Sequence, residues 1–160
     1  MKIRNDFVSN SSSSSFIVIA DTVGNTEDLS KLNDDLDEFI VPNVEHGKYQ
    51  FGWEEEITSD FFSKLNFCAM QCFYSDEHCD EWFDMLKKVV KDNYKLNIRM
   101  VDPIYYDSEK KYKDLPSYMY IDHQSASSEG QNIDMFTNED TLLRFLSNTD
   151  SYIEGGNDNN

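Results

Sequence analysis

The chain reads as an α+β protein: a mostly antiparallel sheet covered by about four helices, in a single domain. Three observations predict this. Strand-like and helix-like segments follow one another as β-β-α-β-α-α-β-β-α with a short final strand, not in the strict alternation of a parallel doubly wound sheet. A length of 160 residues suits one domain with its own core. Eleven Phe, nine Tyr and two Trp supply that core, which a disordered acidic chain lacks. The domain is expected over residues 1–154, with 155–160 a polar tail.

The elements follow in order. Lys2–Val8 and Phe16–Ala20 read as strands flanking a serine run. The second is almost wholly apolar and β-branched, as a strand buried on both faces should be. After a turn at Asp21–Asn25, Thr26 can cap a helix to about Glu38, with Leu29, Leu32, Leu36 and Phe39 on one face. Acids early in that helix suit its dipole, and Asp34, Asp35, Asp37 and Glu38 oppose it. Tyr49, Phe51 and Trp53 alternate as a strand does. Thr58 or Ser59 caps a second helix through about Tyr74, whose wide apolar face predicts a largely buried element. Helical signals resume at Ser75–Glu77 and run to about Tyr94, with Trp82, Phe83, Leu86, Val89 and Val90 as the core stripe. Acids lead and lysines trail there, and Asp84–Lys88 forms an i,i+4 pair. Leu96–Met100 and Tyr118–Asp122 alternate as strands, and Tyr105–Leu115 reads as an exposed loop. Asn138 caps a last helix carrying Leu142, Leu143, Phe145 and Leu146, and Tyr152-Ile153 adds a short edge strand.

The two ends carry a resemblance. Met1-Lys2-Ile3-Arg4, then Asp6-Phe7-Val8 and Asn10 before Ser11–Ser15 and Phe16, is similar to the opening of a family of bacterial and phage proteins. The stretch Ser151-Tyr152-Ile153-Glu154-Gly155-Gly156-Asn157-Asp158-Asn159 resembles an element near the end of such proteins. The likeness covers these ends and not the middle. It implies a bacterial or phage cytosolic origin and brings no activity with it.

Charge bounds the function classes. Thirty-one acidic against 14 basic residues give a net charge of −17. Such a surface repels phosphate backbones and anionic lipid, which argues against direct nucleic-acid or membrane binding. It favours a basic protein partner, with solubility as the plainer purpose of the same charge. No apolar run approaches a membrane span, and the serines interrupt any signal-peptide order. Three cysteines make no secreted disulfide framework, so the thiols are expected reduced and the chain cytosolic.

Four constellations can carry chemistry. The run Ser11, Ser12, Ser13, Ser14 and Ser15 offers hydroxyls and amides to an anion, yet no P-loop pattern accompanies it and a connection is the commoner use. Cys68 and Cys72 share a helix face, with His78 and Cys79 soon after, which sketches a zinc site. The spacing is not a standard one, and reduced cysteine on an apolar stripe more often packs as a small hydrophobe. His123 lies between Asp122 and Ser125 at a strand end. Neighbours on a strand point to opposite faces, so these three cannot form a triad alone, although His123 can pair with a serine such as Ser13 of the first loop. The tail around Asp158 lacks the EF-hand order.

Two readings compete. In the first, the chain is not an enzyme but an acidic binding protein, inhibitory or nucleic-acid-mimicking. Asp34, Asp35, Asp37, Glu38, Glu54, Glu55 and Glu56 then present carboxylates to a basic, nucleic-acid-handling partner. In the second, it is a small enzyme or ligand-binding protein using the serine loop with His123. No cofactor is implied by either.

Overall fold

The structure, a computed structural model, describes residues 3–4, 14–33, 38–52, 54–105, 108–109, 113–122, 125–127 and 132–156. The two ends of the chain build the main sheet. Strand β1 (Ile3–Arg4) pairs antiparallel with β2 (Ser14–Ile19). On its other side β2 pairs antiparallel with β10 (Tyr152–Gly156), which in turn pairs with β5 (Glu56–Thr58). The order is β1-β2-β10-β5. Ile153 stands opposite Ile17 and Gly155 opposite Ser15, so the two sequence elements singled out at the ends are cross-strand neighbours. The final strand is therefore longer than Tyr152-Ile153 and lies inside the sheet, not at its edge. Period two puts Ile17, Ile19 and Ile153 on one face, where all three are buried.

Helix α1 (Phe61–Tyr74) runs through the middle of the core. Its cap is Asp60, which accepts the Ser63 N–H at 3.0 Å, in place of Thr58 or Ser59. From Ser63 to Phe73 every residue is buried, as the wide apolar face predicted. Helix α2 (Cys79–Tyr94) buries Trp82, Leu86, Val89 and Val90 and leaves Phe83 half-exposed. Asp80 and Glu81 lie in its first turn and Lys91 in its last. The expected Asp84–Lys88 pair is not formed. Lys87 takes Asp84 at 3.2 Å, while Lys88 reaches Asp92 at 3.2 Å and Glu139 at 2.8 Å. Glu139 opens α3 (Glu139–Ser147), which Asn138 caps by accepting the Thr141 N–H at 2.8 Å.

The described chain thus holds three helices, and the one expected from Thr26 to Glu38 is absent from its described part. Residues 22–29 are irregular, and only a 3-10 turn forms at Ser30–Leu32. Asp28 folds back to accept the Ser30 N–H at 2.9 Å, and the Leu29 N–H is taken by the Tyr94 carbonyl at 2.7 Å. Local side-chain capture and a tertiary bond outcompete the helix here.

Three small ladders complete the fold. β3 (Phe39–Val41) pairs with β6 (Ile98–Met100) and β4 (Gln50–Phe51) with β9 (Tyr120–Ile121), both parallel. β7 (Ile104–Tyr105) and β8 (Lys113–Asp114) pair antiparallel within the stretch read as a loop. Among the described residues no helix is long and apolar enough to cross a membrane.

Candidate functional site

The start of β2 and the loop after β9 meet in a buried polar cluster. The Ser15 N–H donates to Ser125 Oγ at 2.7 Å, and the Ser125 hydroxyl donates to Asp122 Oδ2 at 2.8 Å. The Ser15 hydroxyl donates to Asp122 Oδ1 at 3.1 Å, so one carboxylate receives both serines. Asn132 Nδ2 donates to the Ser15 carbonyl at 2.6 Å. From α1, Gln71 Nε2 donates to the Ser125 carbonyl at 2.8 Å while its Oε1 accepts the Ser127 N–H at 2.6 Å. Two stretches that the sequence flagged separately, the serine run and Asp122–Ser125, therefore touch at Ser15.

The chemistry this cluster can do is limited by its burial. Ser15, Ser125 and Asp122 are 1%, 2% and 5% exposed, so no substrate reaches these hydroxyls in this arrangement. What the cluster does is fasten β2, β9 and α1 together with charge-assisted hydrogen bonds. Gly52 makes room for it: with φ at 139°, an added Cβ would lie 2.5 Å from Asp122 Cβ. His123 and Ser11–Ser13 fall outside the described residues.

The cysteines differ in burial. Cys68 and Cys72 are wholly buried in α1, and burial pushes both thiols far up, away from the thiolate that a metal or a nucleophile needs. Cys79 is half-buried and also raised, by burial first, with Lys113 opposing. His78 stacks on Trp82 with ring centroids 4.9 Å apart, and its Nδ1 lies 3.2 Å from Glu81. Among the described residues no three His, Cys, Asp or Glu side chains converge as a metal-holding group.

Of the acidic candidates, Asp34, Asp35 and Asp37 lie outside the described residues, and Glu38 is exposed just before β3. Glu54, Glu55 and Glu56 lead into β5, the last strand of the sheet, and all are exposed. With Lys48, Tyr49, Gln50 and Tyr120, Glu54 and Glu56 line a cleft of about 300 Å³. Lys48 is the chain's own cation in that cleft. Its ammonium contacts Glu56, lies 4.0 Å from Glu54, and sits over the Phe51 ring at 5.6 Å. Next in sequence, Ile57 is 63% exposed.

Compared with protein-family models, with curated proteins and with solved structures, the chain matches none.

Two residues escaped the sequence reading. Lys64 lies in the core of α1, where its ammonium donates to the carbonyls of Asn148 at 2.9 Å and Ser151 at 3.0 Å. Desolvation lowers its pKa to about 8, with Asp60 and Cys68 opposing. A lysine tuned so far is a familiar catalytic device, but this one is closed off and committed to two main-chain acceptors. Tyr94, at the end of α2, lines a second cavity, and its buried hydroxyl has no hydrogen-bond partner among the described residues. A charged side chain on an apolar stripe and a tyrosine at a helix end are ordinary in sequence. Only their surroundings distinguish them.

Proposed function

We propose that this chain binds a basic protein partner through its acidic surface, with Glu54–Glu56 at the centre of the contact. The observation that carries this reading is the cleft beside β5, where glutamates and tyrosines surround a lysine ammonium. A cation from a partner would meet the same carboxylates, with Tyr49 and Tyr120 supplying ring faces. The surrounding surface supports it. Asp76 and Glu77 just before α2, and Asp80, Glu81 and Asp84 in its first half, are exposed. Several described cations are already spent on the chain's own acids: Lys87 on Asp84, Arg99 on Asp102, Arg144 on Asp140. The excess of carboxylate is therefore left to solvent or to a partner. Its extreme form is nucleic-acid mimicry, in which carboxylates take the place of phosphates before a nucleic-acid-handling protein. A phage or mobile-element setting in a bacterial cytosol fits that role.

The test is capture from bacterial lysate on the tagged protein, washed at low and then at high salt. A basic protein held at low salt and released at high salt is expected, since contacts between exposed charges are screened. The same protein must be lost from the triple variant Glu54→Lys, Glu55→Lys, Glu56→Lys. Retention by that variant, or capture indifferent to salt, defeats the reading.

A further inference from the structure

The main sheet ends on one side at β5, whose partner is β10. Among the described residues no strand pairs with its other side, where an edge strand presents a row of main-chain N–H and C=O groups. Period two sets the side chains of β5 on opposite faces. Thr58, opposite Ile153, is buried on the core face, and Glu56 shares that face. Ile57, opposite Glu154, stands on the other and is 63% exposed, more than any other large apolar side chain described.

Edge strands are commonly guarded by charge, a proline or a bulge. β5 is guarded by charge of one sign, because Glu54, Glu55 and Glu56 lead into it and all are exposed. That guard turns away some strands and not others. A second copy of this chain brings its own net charge of −17 and its own glutamates, so pairing of β5 with β5 is repelled. A strand carrying lysine or arginine meets no such barrier. Glu54 and Glu56 line the cleft in which Lys48 already places an ammonium, and the Glu54 side chain is still 79% exposed.

We propose that β5 receives an extended basic segment of the partner as a further strand of the sheet, with basic residues towards Glu54 and Glu56 and an apolar residue against Ile57. This rests on the acidic-surface reading above and names the form of what binds there. Main-chain hydrogen bonds along the edge hold the segment, and its alternate side chains select it. The chemistry that fits is a short alternation of lysine or arginine with valine or isoleucine.

The probe is the end-blocked peptide Lys-Val-Lys-Val-Lys-Val-Lys, titrated into the full-length protein and followed by the amide signals of Glu56, Ile57 and Thr58. A chain of this charge attracts any cation loosely, so two derivatives of equal charge decide the matter. One is N-methylated on its valines and the other on its inner lysines. Successive N–H groups of a strand point to opposite edges, so each derivative loses the donors of one edge. The parent peptide should give a saturable shift at the three amides. One derivative should bind about tenfold more weakly and the other within about twofold, because a single edge of the peptide faces β5. Ile57→Thr, exposed and still β-branched, should weaken the parent peptide about threefold. Equal binding of all three peptides, or loss with both derivatives, overturns strand addition and leaves the acidic contact standing. No shift with any of them also overturns it, and the lysate capture with its triple glutamate variant then decides the acidic contact separately. Self-association through Glu56–Thr58 in the peptide-free protein would give the edge to a second copy and overturn the proposal.

Discussion

The polar interior around α1 and the cavity at Tyr94 treat buried polar atoms in opposite ways. Around α1, Asn66 accepts the Asn43 N–H and donates to the carbonyls of Asn43, His46 and Lys48. Gln71 ties the 125–127 loop, Lys64 caps two carbonyls, and Asp122 gathers two serines. At Tyr94, a hydroxyl just as buried has no hydrogen-bond partner among the described residues. The difference teaches where to look for function. A buried polar group with all its partners specifies a fold, because unmaking it strands the partner at a cost of about 1–3 kcal/mol. A buried group lacking one is either a defect or half of an interaction whose other half comes from outside.

The largest expected effect comes from breaking the satisfied side at its centre. Asp122→Ala leaves the hydroxyls of Ser15 and Ser125 buried without their acceptor, and should cost about 3–4 kcal/mol, since hydrogen bonds to a charged group are the strong ones. Urea unfolding measures it, and a loss below about 1 kcal/mol would show that the cluster closes over the gap. Gly52→Ala attacks the same cluster from the backbone. Its φ of 139° excludes a side chain, and the new methyl would push on Asp122, so about 2–3 kcal/mol is expected. The two losses should not add, because both act through one carboxylate.

Lys64→Met comes next, at about 2 kcal/mol, for two carbonyls left without a donor. Its sharper signature is in pH. The folded pKa of about 8 lies below the ordinary 10.5, so between those values the unfolded chain holds a proton that the folded chain has released. Stability from this group is therefore lowest below pH 8 and rises as pH climbs towards 10.5. The Met variant should lack that rise. A rise of equal size in both proteins would assign it to another group.

The same contrast explains how far the sequence could be read. Local patterns were legible: the continuous apolar run of Phe16–Ala20, the wide face of α1, the acid-to-lysine gradient of α2 and the Asn138 cap each led to the element found. The segment 26–38 misled, because its leucines keep helical spacing while Asp28 and the Tyr94 carbonyl capture its N–H groups. No local pattern announces a bond to a residue more than sixty positions away. The buried cluster was half legible. Asp122 and Ser125 stood out as polar residues at a strand end, but Gln71 and Asn132 complete it from elsewhere in the chain. Tyr94 was invisible for the opposite reason: what marks it is a hydrogen bond that none of the described residues supplies.

The smallest effect is also the most discriminating. Tyr94→Phe removes a buried hydroxyl to which none of the described residues hydrogen-bonds. The ring, and its contact with Phe61, remain. On that account the variant should be as stable as the parent or more stable by up to about 1 kcal/mol, the reverse of every change around α1. A loss of more than about 1 kcal/mol would mean that the hydroxyl already has a bound partner, such as a fixed water, and that the two regions obey one rule after all. A gain in stability would separate them, because it would show a buried hydroxyl that the fold keeps at a cost.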